Sequence, residues 1–399
     1  MIFQKLPTIG NPHNPMQLLV DFSQHLLQLW KRCYDEKYFP PIKDLCALLA
    51  FTFQLHIMSV APPLIAYLLP IAQDTMYIIA DRRYRSVNGE LGSDPESIAL
   101  AQSINTTQIL TLVYTTALAC ATTTSSQPEA AGSAPRMDFW RLMALDTVQL
   151  FLTQKQPLDD ILGMLRLLCT SVFPTSIGPV SESRDAAAVA RIIIEKVSRL
   201  LVDLPRSATS WREKHAARTA ALEALTAFLR SPFGATQLAL HPNLIPRLIT
   251  VLSSSLDELY EVDNIEFKNT KSSTEVLISR LSLESDGGDS DEGEEPIADP
   301  RQDIAGTNRI IAQAMFLLHR LVTDPRTADV ASVNEKLSAS QGGSQRYILA
   351  LARLNFAGDM VLEEGIDEET IELAHELLEL AVTPDEAEAI SEAFGADDG

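Results

Sequence analysis

The stretch Arg218 to Ser253, RTAALEALTAFLRSPFGATQLALHPNLIPRLITVLS, limits the fold of this chain more than any other. Ala221, Leu222, Leu225, Phe228 and Leu229 recur at i, i+3/i+4 spacing, and Leu244, Ile245, Leu248, Ile249 and Leu252 repeat that pattern, so the stretch predicts two amphipathic helices. Between them, Gln237 to Leu240 predicts a short apolar turn of helix. It is set off by Ser231-Pro232 and His241-Pro242, because proline disfavours helix at the residue before it. Pro246 fits the first turn of the second helix, where its missing N–H costs little. Such a unit is apolar on more than one side and cannot bury those sides alone. It must be covered by neighbours of the same kind.

The rest of the chain repeats this logic. Asn14-Pro15 opens a helix that carries Leu19, Phe22, Leu26, Leu29 and Trp30 on one side and ends near Tyr34. Ile42 to Met58 is apolar nearly all round. Ser59 is expected to open a third helix, which Pro70 kinks before it reaches Arg85. Ser93 or Asp94, with Pro95, begins the next pair, lasting to about Cys120. These elements form an expected N-terminal block, 1–120. A Thr/Ser/Pro/Gly-rich linker, 121–136, follows. A central block, 137–263, holds predicted helices Phe139–Leu152, Leu158–Leu168 and Ser183–Leu204 as well as the opening unit. Residues 264–303 turn polar and then acidic, a composition that cannot bury enough to order itself, with one short helix predicted at Glu275–Leu283. A C-terminal block, 304–399, contains Ile304–Val322, a break at Ser338–Ser344, then Tyr347–Leu354, Glu368–Val382 and Asp385–Phe394. Helices of this length joined by proline-marked turns predict an all-α fold, an irregular α-solenoid of HEAT/armadillo-like repeats without a strict period.

Composition agrees: hydrophobic residues make up 46% of the chain, but aromatics only 6%, and alternating β-branched runs are scarce. A net charge of −21 argues against broad binding to nucleic acid or anionic membranes, whose phosphates it repels. Cys33, Cys46, Cys120 and Cys169 show no C-x-x-C pairing and read as small core residues of a reducing compartment. The most apolar run, Leu45 to Tyr84, is interrupted by Gln54, His56, Pro62, Pro63, Pro70, Gln73 and Asp74, so no membrane span is expected. Neither a phosphate loop nor H-E-x-x-H nor G-x-S-x-G occurs, and the seven histidines are scattered. No catalytic residues, cofactor, metal or small-molecule substrate are therefore expected. An enzyme with an unfamiliar helical active site would need a pocket of perturbed titratable groups, and no such cluster is visible.

Four features point to partners. Arg191, Lys196, Arg199, Arg206, Arg212, Lys214 and Arg218 make a local basic excess, read mainly as solvated helix faces with pairs such as Glu195 and Arg199. Ser290 sits in the acidic segment, where phosphorylation would add charge. Ser126, Ser340 and Ser344 precede glutamine in stretches predicted to be accessible to a kinase. In Glu368–Val382, Ile371, Ala374, Leu377, Leu378 and Ala381 form a core stripe, and Leu373 and Leu380, seven apart, begin a second one. Leu373, Leu377 and Leu380, with Ile390 and Phe394 of the last helix, are the candidate partner-binding residues.

The segments FSQHLLQLWKRCYDEKYFPPIKDLCALLAFTFQLHIMSVAPPLI, LLCTSVFPTSIGPV and LARLNFAGDMVLEEGIDEETIELAHELLELAVTPDEAEAISEAFG resemble the helical-repeat and C-terminal regions of the fungal ATR-interacting protein family. The resemblance implies a nuclear, non-catalytic scaffold of a checkpoint kinase, acting in the DNA-damage response and repair, with kinase docking through the C-terminal block. The family's N-terminal acidic segment and dimerising coiled coil find no counterpart, as no sustained heptad is present. The expected reading is thus a C-terminal region, reaching replication protein A on single-stranded DNA only indirectly. A generic armadillo/HEAT adaptor in trafficking or nuclear transport is the alternative, and would show a regular ladder of polar and aromatic groups along one face.

Overall fold

A computed structural model describes residues 16–122, 135–181, 183–259, 300–340, 342–356 and 365–381. The chain divides into two compact units, Met1–Leu244 and Ile245–Gly399. Among the described residues there is no strand, only an isolated bridge between Val172 and Ile177, and the fold is the all-α arrangement of helical repeats that the sequence predicts.

The first unit contains α1 (Gln17–Asp35), α2 (Ile42–Arg85), α3 (Pro95–Ser103), α4 (Thr106–Thr122), α5 (Pro135–Leu142), α6 (Leu145–Phe151), α7 (Leu158–Cys169), α8 (Ala186–Val202), α9 (Trp211–Leu229) and α10 (Pro232–Leu240). Helix α2 is its axis. Helices α1, α4, α5 and α6 all pack on it, and α7, α8 and α9 pack together beyond α4 and α6. Trp30 Nε1 donates to Thr75 Oγ1 at 3.0 Å, fastening α1 to α2 inside the core.

Two predicted helices here have different outlines. The predicted division near Ser59 is present but lies three residues earlier: two helices meet within α2 at a kink at His56, φ −154°, ψ 61°, and the second runs through Pro62, Pro63 and Pro70 without a break. Each internal proline costs about 3 kcal/mol. Burial of Leu64, Leu68, Leu69, Met76 and Ile79 outweighs that, since each such side chain contributes roughly 1.5–3 kcal/mol. The helix is long and apolar enough to cross a membrane by length and composition, and the helices packed on it account for much of that apolar character. The second correction is that Phe139–Leu152 is two helices. Ala144 is extended, and Gln73 of α2 patches the gap: Nε2 donates to Leu142 O at 3.0 Å, and Oε1 accepts from Ala144 N–H at 2.7 Å.

Smaller differences follow from capping. Helix α10 starts at Pro232, not Gln237, because Ser231 caps it by accepting from Gly234 N–H at 2.9 Å, so Ser-Pro is a helix start here. Helix α8 begins after Asp185, which accepts from Ala187 N–H. Arg199 pairs with Asp203 at 2.7 Å and is also stabilised by the charge of Glu195, which faces His241 at 3.3 Å. Asn14-Pro15, most of the predicted linker and the predicted helix Glu275–Leu283 lie outside the described residues.

The C-terminal end of α2 is held by side chains from far along the chain. Gln156 Nε2 donates to Ala80 O at 2.9 Å, and Lys155 Nζ donates to Tyr84 O at 2.8 Å and Ser86 O at 2.7 Å. Arg83 meets Asp160, whose side chain is fully buried, at 3.0 Å; Asp160 also accepts from Thr106 at 2.6 Å and Thr107 at 2.7 Å. This network joins α2, α4 and α7.

Burial pushes the thiols of Cys46 and Cys120 up to about 12. At about pH 8, free thiols are substantially ionised but these two are not. Iodoacetamide should therefore leave Cys46 and Cys120 unlabelled in the native chain, while all four cysteines react in urea; peptide mapping by mass spectrometry reads the difference, and equal labelling rates would refute the burial. The folded thiols keep protons that the unfolded chain releases, so their contribution to stability is present below about pH 8.5 and lost as pH rises above it.

The second unit contains α11 (244–259), α12 (Pro300–Thr323), α13 (Ala328–Ala331), α14 (Val333–Ser338), α15 (Gly343–Phe356) and α16 (Glu368–Ala381). Helix α15 is longer than the predicted Tyr347–Leu354 and takes up the end of the predicted Ser338–Ser344 break.

Candidate docking surface

Helix α16 starts where Asp367 accepts from Thr370 N–H at 2.8 Å, with Glu368 and Glu369 in the first turn favoured by the helix dipole. It packs on α12 and α15. Thr370, Ala374, Leu377 and Leu378 form its buried stripe, and His319 Nε2 of α12 meets Glu376 Oε2 at 2.7 Å. Two helices thus fix its rotation and decide which residues face outward.

The candidate leucines separate by burial. Leu377 is 0% exposed and belongs to the unit's own core, so it offers no surface in this arrangement. Leu373 is half-buried, and Leu380, two turns along, is 68% exposed. Ile390 and Phe394 lie outside the described residues, as do Ser126 and Ser290. Ser340 is half-buried, and its hydroxyl donates to Leu337 O at 3.1 Å. Ser344 is exposed in the first turn of α15.

Leu349 of α15, 52% exposed, is a further exposed leucine of this unit that the sequence reading did not single out. The signal was there: Tyr347, Ala350, Leu351 and Leu354 make the buried stripe of α15, and Leu349 falls off it. Glu368, Glu369, Glu372 and Glu379 are exposed on α16, so the apolar residues have an acidic border. Chemically the surface can bury aliphatic side chains and pair with cations around them. Among the described residues no His/Cys/Asp/Glu group is arranged to hold a metal ion.

Residues 71–322 match the family described as Rad26-like, helical repeats, and residues 331–394 match Rad26-like, C-terminal domain. No curated protein matches the chain. Among solved structures it is similar to the crystal structure of Myceliophthora thermophila Rad26 (residues 373–841), with a TM-score of 0.77 and 41% identity, covering 96% of this chain and 92% of that one. The two family regions follow one another in chain order and take in both units, and α16 falls in the second. The chain belongs to the Rad26-like family, as the resemblance of its segments to ATR-interacting checkpoint regulators leads one to expect.

Proposed function

We propose that this chain is a non-catalytic regulatory subunit of an ATR-type checkpoint kinase, working in the nucleus in the DNA-damage response and repair, and that the Leu373/Leu380 side of α16 docks on the kinase. Family membership supports the regulatory role. The observation that carries the docking site is the second apolar stripe of α16, where Leu380 stays exposed and Leu373 half-exposed after α12 and α15 have covered the first. Burying such leucines yields roughly 25 cal/mol per Å² before association costs, and the surrounding glutamates favour a partner with a basic rim. Of the two phosphorylation candidates among the described residues, Ser344, exposed and followed by Gln345, is the better placed for a kinase to reach; at Ser340 the hydroxyl is already engaged.

The test is co-expression of the chain with its kinase and measurement of kinase retained on the tagged subunit. Leu373→Glu together with Leu380→Glu should lower retention by about tenfold or more, each buried charge costing over 1 kcal/mol. The circular dichroism of the variant should stay that of the parent, because neither side chain is in the core. Undiminished retention would sink the docking site; absence of any kinase with the parent chain would sink the regulatory role itself.

A further inference from the structure

The cations that the sequence gathers between residues 191 and 218 are not spread evenly over helix faces. Lys196 and Arg199 of α8 and Arg206 beyond it line an open cleft of about 220 Å³ with Lys155, which precedes α7, and Tyr84 at the end of α2. Lys155 Nζ is held by the carbonyls of Tyr84 and Ser86 and lies 5.6 Å from the Tyr84 ring centroid. Arg206 Nη1 donates to Val87 O at 2.7 Å. These two cations serve the end of α2, where the helix dipole favours positive charge, and neither has a carboxylate partner among the described residues. Asp203 is the one carboxylate lining the cleft, and it is paired with Arg199 at 2.7 Å.

Lys196 is different. It is half-buried, caps nothing, and makes no hydrogen bond or ion pair among the described residues. The cleft thus collects four cations against one carboxylate on a chain of net charge −21. Like charges crowded into a concave, partly desolvated site raise each other's energy and are relieved by an anion. The site is too small for nucleic acid, which takes about 6–10 phosphate contacts for strong binding, and the acidic remainder of the chain would repel such a polymer. A short acidic segment matches both the size and the sign.

We propose that this cleft docks an acidic peptide segment of a partner protein, with a carboxylate or phosphoserine of that segment paired to Lys196. The site lies in the first unit and is independent of the kinase-docking helix.

Fluorescence anisotropy of the full chain tests it with four labelled probes: a short Asp/Glu-rich peptide, the same peptide carrying one phosphoserine, a neutral Gly/Ser peptide and a single-stranded oligonucleotide. Both acidic peptides should bind, more weakly as sodium chloride is added, and the neutral peptide should not. Lys196→Glu should weaken acidic-peptide binding about tenfold or more, and Lys196→Gln by less. Arg166→Glu on α7, exposed and outside the cleft, changes net charge equally and should leave binding unchanged. The proposal is overturned if the acidic peptides do not bind, if Arg166→Glu weakens them as much as Lys196→Glu, or if the oligonucleotide binds more tightly than the peptides.

Discussion

Replacing Asp160 by alanine is expected to lower the stability of the first unit by about 3–5 kcal/mol, the cost of leaving one member of a buried ion pair without the other. Asp160 is fully buried and is the common acceptor for Arg83, Thr106 and Thr107. Burial already lowers the pKa of the Arg83 guanidinium, which shows how far that charge is withdrawn from water. Without the carboxylate it stays charged, because arginine does not give up its proton at accessible pH. The effect is readable separately from the second unit: Trp30, Trp140 and Trp211 all precede residue 244, so tryptophan fluorescence during denaturant unfolding reports the first unit alone. Asp160→Asn should lose less, as its amide oxygen can still accept from a threonine. A shift under about 1 kcal/mol for Asp160→Ala would show that the network is no stronger than a surface pair.

Gln73→Leu should cost about 1–3 kcal/mol, because two part-buried backbone groups lose their hydrogen-bond partners. Gln73 closes the gap between α5 and α6 by donating to Leu142 O and accepting from Ala144 N–H, and leucine can do neither. Transfer energy alone favours leucine at a site only 7% exposed, so a substitution guided by hydropathy would be thought stabilising. The two lost hydrogen bonds reverse the sign. Native-state hydrogen exchange locates the effect: the Ala144 amide should exchange much faster in the variant, while amides in the middle of α9 should not change. A variant as stable as the parent, with Ala144 still protected, would mean that the gap finds another partner.

The helical character of the chain was legible because apolar periodicity survives in single helices: Ala221, Leu222, Leu225 and Phe228, and Leu244 to Leu252, are buried as their spacing predicts. Where the reading departed from the structure, the deciding partner was distant in sequence. Phe139–Leu152 has helical spacing throughout, and nothing local shows that Gln73, on another helix, stabilises a break at Ala144. Pro70 was weighed as a local breaker, but the helices packed around α2 outweigh that local cost. At the docking surface the two stripes of α16 were visible, yet only packing on α12 and α15 shows that Leu377 is inside and Leu380 outside. The basic cleft was half visible. Residues 196, 199 and 206 stand close together in sequence, whereas Lys155 and Tyr84 join them only in three dimensions.

The fastening of the C-terminal end of α2 also bears on how the chain is made. Arg83 waits for a residue 77 positions later, Ala80 O for one 76 later, and Val87 O for one 119 later. On a ribosome, a nascent chain that has just exposed α2 carries a long apolar rod whose final turn has open carbonyls and an unpaired guanidinium. Synthesis runs at about 5–20 residues per second, so this state lasts for seconds before residues 155–160 emerge. During that interval the rod is a substrate for chaperones that hold exposed apolar segments, and slowing translation between residues 85 and 160 should lengthen their stay.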